Sequence, residues 1–417
     1  MMKGIVRQSK FRHVFGKAVR KEDHYDNLMP GASAPDSNLC DVNTKYFGLP
    51  WRGGGGPFVV WPLATTGRLP AVVPLLSGHG GPVMDLAFSP FHEEMIASAS
   101  DDCTVKVWEF PEGGLTEDLN TSALTFSGHT KKVILVKWNP VADNVLASVS
   151  FDNTVKIWDV TRGCESHSFN DHPDAVQAID WNFCGSKYAT YCKDKKVRII
   201  DPRNNTAATT FDAGHQGTKG AKVCFLGDRR IFCTIGFSRQ SERQLFFWDE
   251  RDTSKSLSEL QIDIASGTLI PFYDADTSML YLGGKGDTNI RYFEIDDDAP
   301  YQYYVAMFSG KDPQRGICMQ PKRACDTTNC EIAKFMRLTQ SGLEPVSFTV
   351  PRKGDHFQDD LYPDTFSGVA AISASEWMQG QNARPVMQSM RPGDVGTRGV
   401  VLSASQAVGE GVSSAPL

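Results

Sequence analysis

The sequence has no apolar run approaching the ~20 residues that a helix needs to cross a bilayer; its hydrophobic stretches are short and broken by Pro, Gly or charge. Its opening, Met-Met-Lys-Gly-Ile-Val-Arg-Gln-Ser-Lys, contains no apolar core of a secretory signal. A membrane span or export is therefore not expected, and a cytoplasmic location is. Ten cysteines are present, yet none is spaced C-x-x-C, and Cys325 and Cys330 have no nearby histidine to complete a zinc set. Cys103, Cys192, Cys224 and Cys233 lie in strand-like text, where a thiol acts as a small buried hydrophobe, so free structural thiols are expected. Catalytic signatures are missing as well: no P-loop, no G-x-S-x-G, no H-E-x-x-H and no clustered metal ligands. The run Gly53–Gly56 lacks the Lys-Ser/Thr of a phosphate cradle and reads as a hairpin loop. Nothing here points to an enzyme, a metal or a cofactor.

What is present is a soluble, globular composition, 41% hydrophobic and 22% charged. At 417 residues the chain is long for one ordinary core, which leaves several domains or a repeat array. The net charge is −6, but residues 1–21 hold no acid and carry Lys3, Arg7, Lys10, Arg12, Lys17, Arg20 and Lys21. Such a cationic arm seeks an anionic partner: an acidic protein surface, nucleic acid or anionic lipid. Overall acidity and the lack of a nucleic-acid module argue against nucleic acid. Phe11, Val14 and Phe15 are interleaved with the cations, which predicts an arm packed on the body rather than floating.

Two stretches repeat each other. Gly78-His79 leads to Asp102-x-Thr104-Val105-Lys106-Val107-Trp108, and Gly128-His129 leads to Asp152-x-Thr154-Val155-Lys156-Ile157-Trp158-Asp159. In both, His and Trp are 29 residues apart and Asp stands 6 before Trp. A GH at one end and a WD-like dipeptide at the other mark a WD40 β-propeller blade. A third unit runs from Asp171-His172 to Asp194 and Asp201, with Ile200 in the tryptophan slot. A fourth runs from Gly214-His215 to Trp248-Asp249, with Glu242 in the aspartate slot. The histidine steps of 50, 43 and 43 match one blade each, with the Pro111–Leu115 loop as an insertion.

Beyond residue 250, Leu269–Tyr273, Met279–Leu282 and Ile290–Ile295 predict a fifth blade. Tyr301–Phe308, Gly316–Met319 and Ile332–Leu338 predict a sixth, and Pro345–Val350 supplies strands of a seventh. Upstream, Leu39–Phe47, Phe58–Pro62 and Ala71–Leu75 give the first. The expected fold is all-β: a seven-bladed WD40 β-propeller over residues 1–355, basic arm included, with a C-terminal extension packed on it over 356–380. An N-terminal strand around Phe11–Phe15 should complete the last blade, because an open ring leaves strand edges that invite aggregation. Ala370–Gln379 suits a short helix, and residues 381–417, rich in Ser, Gly, Ala, Val and Pro, read as a flexible linker. Inside the blades, His79 with Asp102 and His129 with Asp152 are expected to hydrogen-bond each other, beside a strand Ser/Thr and an indole N–H. His172, Asp194 and His215 take the same structural part, and Trp108, Trp158 and Trp248 are core aromatics.

The arm segment Val6-Arg-Gln-Ser-Lys-Phe-Arg-His-Val-Phe-Gly16 resembles the N-terminal signature of the coronin family, actin-filament-binding seven-bladed propellers. Lys193-Asp-Lys-Lys-Val-Arg-Ile-Ile-Asp-Pro-Arg203, Gly236-Phe-Ser-Arg-Gln-Ser-Glu-Arg-Gln-Leu245 and Gly283-Gly-Lys-Gly-Asp-Thr-Asn-Ile-Arg-Tyr-Phe-Glu-Ile295 resemble the same family, as does Phe357-Gln-Asp-Asp-Leu-Tyr-Pro-Asp-Thr365. The resemblance implies filamentous actin as partner, with branching or severing machinery beyond it. It implies a role in actin organisation, turnover and motility at the cell cortex, and a C-terminal coiled coil that oligomerises the chain. Nothing after Gly380 repeats at 3.5 residues, so a truncated or shortened relative is expected, one lacking the coiled coil on which oligomerisation depends. Leu28-Met29-Pro30 also places Met29 where members often carry a basic residue important for filament binding. On this resemblance the expected actin contacts are Arg7, Lys10, Arg12, Lys17, Arg20 and Lys21, steered to an acidic filament surface. Equally, Arg7, Phe11 and His13 could mainly pin the arm to the propeller. Arg239 and Arg243 are expected to serve blade packing. The competing reading is a general WD40 scaffold not specific for actin, which would need no basic arm.

Overall fold

The computed structural model describes residues 9–31, 37–204, 206–354, 356–394, 397–398 and 401–402. Among them, one three-stranded, five four-stranded and one six-stranded sheet follow one another as the seven blades of a closed propeller. Blade 1 holds Asp41–Val42, Tyr46–Pro50 and Phe58–Pro62, and blade 2 runs from Val83–Phe88 to Leu124–Ser127. Blades 3, 4 and 5 run from Val133–Trp138 to Cys164–Phe169, from Val176–Trp181 to Thr206–Asp212, and from Lys222–Phe225 to Ser258–Ile264. Blade 6 spans Leu269–Asp274 to Gln302–Ser309.

Three segment assignments differ from the sequence reading: Ala71–Leu75, expected as a strand of the first blade, forms none, and two others are reassigned. The strand in Tyr301–Phe308 is the outer strand of the blade that begins at Leu269: Gln302–Ser309 pairs with Asn289–Ile295. The segments expected as separate sixth and seventh blades form one sheet, blade 7, in which Gly316–Met319, Glu331–Leu338 and Gly342–Thr349 pair in turn, so the eight groups of strands read from the sequence, the upstream one included, make seven blades. Its fourth strand is Phe15–Ala18, in register Phe15↔Thr349 and Lys17↔Ser347. The N-terminus thus closes the ring a few residues later than Phe11–Phe15. Phe11 and Val14 are 3% and 1% exposed and enter the core between blades 6 and 7. Phe15, expected to pack, is 57% exposed.

Each blade's second strand is covered by neighbouring blades on both faces, so it tolerates no alternation. Met95–Ser100, Val145–Ser150, Ile231–Phe237 and Met279–Gly284 are buried at every residue, and small Ala, Ser and Gly let the sheets approach. Inner strands are tied laterally by carboxylates. Asp41, Asp85 and Asp180 accept the backbone N–H of Phe88, Val136 and Phe225 in the next blade at 2.8, 3.0 and 2.7 Å. All ten cysteines are free.

The C-terminal segment runs as a strap over the turns that join first and second strands. Tyr362 donates to the Glu331 carbonyl in blade 7, and Phe366 meets Phe91 of blade 2 at 6.0 Å. Ile372 bridges Ala142 of blade 3, and the Trp377 indole donates to the Gly185 carbonyl of blade 4 at 2.8 Å. Trp377 lies in the helix Ala374–Met378, whose start is fixed by a reciprocal Ser373–Glu376 capping box. The packed strap extends past Gly380 into the segment 381–417 that the sequence suggested as a linker, of which residues 395–396, 399–400 and 403–417 lie outside the described residues. Ala383 and Val386 are buried, Met387–Gln388 pairs with Thr365–Phe366, and Arg384 pairs with Asp228 of blade 5.

Candidate functional site: the basic N-terminal arm and the blade framework

The blade histidines are structural. His79 Nδ1 lies 2.9 Å from Asp102 Oδ2 and its Nε2 2.7 Å from Ser98 Oγ, which also accepts the Trp108 indole N–H at 2.9 Å. An imidazole that donates from Nδ1 to Asp102 and accepts at Nε2 from the Ser98 hydroxyl satisfies every member. Blade 3 repeats the chain through His129, Asp152, Ser148 and Trp158. Burial works against ionisation of Asp102 and Asp152. Hydrogen bonds from the paired histidine, the following threonine and a backbone N–H outweigh it and hold both carboxyls below the usual range. With both ends of each imidazole committed inside the blade, no acid–base pair is available to a substrate.

The two later units depart from this pattern. His172 bonds Thr190 at 2.9 Å, but Asp194 turns to Arg198 at 2.6 Å, and His172 Nδ1 is left without a partner. The reason is the residue four after the aspartate, which is Lys106 and Lys156 in blades 2 and 3 and Arg198 here; the guanidinium fork captures the carboxylate. In blade 5 His215 reaches Thr234 and, at 3.4 Å, Gln244, while Glu242 accepts from Ser238 instead of filling the aspartate's place. Trp248 still donates to Thr234.

Burial pushes the His172 and His215 imidazoles down to about 4. A group whose folded pKa lies below its unfolded value contributes stability that is present above the unfolded pKa and lost on acidification. The window here is about pH 6.5 down to 4. Asp41 and Asp85, raised by burial to about 7 and about 6, act in the opposite sense: their contribution fades as pH rises through those values. The two slopes oppose each other, so a single variant isolates one. His172→Asn should flatten the acid-side loss by up to about 1.4 kcal/mol per pH unit in urea titrations between pH 6.5 and 4. An unchanged slope would show that His172 is not held neutral.

The arm carries the charge that faces outward. Among the sequence candidates, Arg7 lies outside the described residues. Lys10 is exposed but engaged by the strap: its ammonium donates to the Asp360 carbonyl at 2.5 Å and sits 5.4 Å from the Phe11 ring centre. Arg12, Lys17, Arg20 and Lys21 are exposed and form no ion pair among the described residues. Lys17 projects from the closing strand, and Arg20 and Lys21 open the turn Lys21–Asp23, where Glu22 and Asp23 supply local counter-charge. Tyr25–Asp26 then pairs with Gly342–Leu343 and with Gly67–Arg68, the edge strand that the chain adds to the blade 7 sheet after leaving blade 1, holding this part of the arm beside the turns opposite the strap. Met29 is 41% exposed, and its carbonyl accepts from Arg52 N.

Arg243 and Arg239 part company. Arg243 is 2% exposed, bonded to Asp263 and Asp287 and locking blade 5 to blade 6, whereas Arg239 is exposed. Arg68 and Lys311, exposed near the arm, carried no sequence signal, because only the pairing of Gly67–Arg68 with Tyr25–Asp26 and the closure of the ring by the arm bring them there. Among the described residues no cluster of three or more metal-binding side chains occurs, and no helix is long and apolar enough to cross a membrane.

Family profiles match three parts of the chain. A domain of unknown function (DUF1899) covers residues 4–68, the WD domain, G-beta repeat covers 71–109, 120–159 and 163–201, and a type of WD40 repeat covers 343–385. Coronin-A of Dictyostelium discoideum is 50% identical over 395 residues, 94% of this chain and 88% of that protein. The crystal structure of the WD40 domain of Toxoplasma gondii coronin superposes with a TM-score of 0.86 at 32% identity, over 92% of this chain and 98% of that one. A chain of the mitotic checkpoint complex aligns at 14% identity with a TM-score of 0.59, over 85% of this chain and 98% of that one, a likeness of fold alone.

Proposed function

The chain belongs to the coronin family, a family of non-catalytic propellers, and from that premise we propose that it binds actin filaments and regulates their organisation and turnover in the cytoplasm, at the actin-rich cortex. The observation that carries the reading is the set of outward cations Arg12, Lys17, Arg20 and Lys21, held by the closing strand and the turn after it on a chain of net charge −6. Keeping four cations free of ion pairs among the described residues, on a rigid edge, serves an anionic partner better than it serves the blade. Arg7 and Lys10 belong to the same arm, Lys10 as an anchor that fixes where the arm leaves the strap. Branching or severing factors would meet the filament-bound chain as secondary partners. Oligomerisation would require a coiled coil.

Sedimentation with polymerised actin tests the reading. The chain should pellet with filaments at ~50 mM salt and largely remain in the supernatant at ~200 mM, because screening shortens the reach of exposed charges. Absence from the low-salt pellet would overturn it. The open upper turns also fit a general WD40 scaffold, in which case partners should be retained after residues 1–9 are removed.

A further inference from the structure

Between the outer strands of blades 6 and 7 lies an open groove of about 970 Å³. It is lined by Lys17 and Lys21 from the arm, Arg68 from the short edge strand Gly67–Arg68 of the blade 7 sheet, and Met307 and Lys311 from the end of blade 6 and the loop after it. All five side chains are exposed, and the four cations form no ion pair among the described residues. Three carboxylates also line it. Glu344 is paired with the buried Arg337, which leaves the carboxylates of Asp26 and of Asp312, the latter accepting from Ser341 at 3.2 Å, against the four cations. The groove is therefore positive on a chain that is negative overall.

Its walls are fixed. Tyr25–Asp26 is hydrogen-bonded to Gly342–Leu343 on one side and to the edge strand Gly67–Arg68 on the other. A Cβ added to Gly16 would stand 2.7 Å from the Phe348 ring and 2.9 Å from Phe308 Cβ, so the strand sits directly on the core. Met307, 41% exposed, offers an apolar contact within the ring of cations. On the opposite face the chain's own strap occupies the turns of blades 2, 3, 4, 5 and 7.

We propose that this groove is the principal filament-docking site, and that it receives an acidic, partly apolar surface segment of actin. Arg68 and Lys311, far apart in sequence, complete a contact of which the arm supplies only half. The proposal rests on the actin reading above and adds to it the location and composition of the contact. An aromatic or thioether side chain surrounded by charge is the common make-up of a protein–protein hot spot. Four cations converging on one groove also concentrate the field that steers a negative partner.

The test compares two variants of equal charge change in the actin sedimentation assay. Arg68→Glu/Lys311→Glu alters the groove, and Lys131→Glu/Lys255→Glu alters exposed lysines elsewhere on the ring. The groove variant should bind at least tenfold more weakly, with a flatter dependence on salt, while the control stays within about twofold of wild type. If wild type pellets and the groove variant pellets equally, or both variants weaken alike, the docking site is overturned while actin binding stands. If wild type does not pellet, the actin reading fails and the site with it. Should the groove variant unfold, Arg68→Gln/Lys311→Gln replaces it, with an expected loss of about threefold; no loss in that variant overturns the site.

Discussion

Trp377→Ala should lower the unfolding free energy by about 3–5 kcal/mol and free the C-terminal strap for proteolysis. Trp377 is 0% exposed, packs in one cluster with Ile372, Ala374 and Ala383, and meets Trp181 edge-on at 5.9 Å. The Arg203 guanidinium lies 5.3 Å from its ring centre. Removing the indole leaves a cavity that the sheets of blades 3 and 4 cannot close, because their buried strands are already packed to interior density. Trp377→Phe should cost far less, about 1–2 kcal/mol. The Gly185 carbonyl that loses the indole N–H still accepts from Asn139 at 2.8 Å. Denaturant unfolding gives the energies, and trypsin cleavage within the strap gives the detachment. Equal losses for Ala and Phe would mean that the hydrogen bond, and not the volume, holds the strap.

The second large effect is expected at the seam of blades 5 and 6. Arg243 makes two bonds of 2.6 Å to Asp263 and one of 2.6 Å to Asp287, and it also donates to the Gly267 carbonyl at 3.2 Å. Desolvation disfavours its charge, but the two carboxylates outweigh that and raise its pKa. Arg243→Met removes the cation and leaves Asp287, whose side chain is 12% exposed, without its guanidinium, while Asp263 keeps only Arg291. Breaking such a network from one side costs about 3–5 kcal/mol, mostly the expense of stranding the remaining charge. Asp287→Asn introduced together with Arg243→Met should recover part of the loss. No recovery in a double-mutant cycle would assign the effect to packing rather than to the stranded carboxylate.

How far the sequence could be read depended on whether a residue's partner lies in its own blade. The GH-to-Trp spacing located blades 2 and 3 because His79, Ser98, Asp102 and Trp108 all bond within one sheet. Blades 6 and 7 lack those markers, and the text of Tyr301–Phe308 looks the same whether it is the first strand of one blade or the last of another. Only its pairing with Asn289–Ile295 decides. His172 shows how one substitution redirects a network, since Arg198 outcompetes the imidazole for Asp194. In the arm, the cations were legible as charge, but their division was not. That the strap holds Lys10 while Lys17 and Lys21 face the groove follows from contacts across 350 residues of chain and from ring closure. Arg68 and Lys311 had no local signal at all, since nothing in Gly67-Arg68 or Gly310-Lys311 announces a neighbouring cation from another blade.

The central claim, that a rigid propeller holds its N-terminal cations out to the filament, is tested most directly by the affinity of Lys17→Glu/Arg20→Glu/Lys21→Glu for polymerised actin at low salt. These side chains are exposed and free of ion pairs among the described residues, so the variant should keep the wild-type thermal transition while its dissociation constant rises at least tenfold. A folded variant that pellets like wild type would contradict the account.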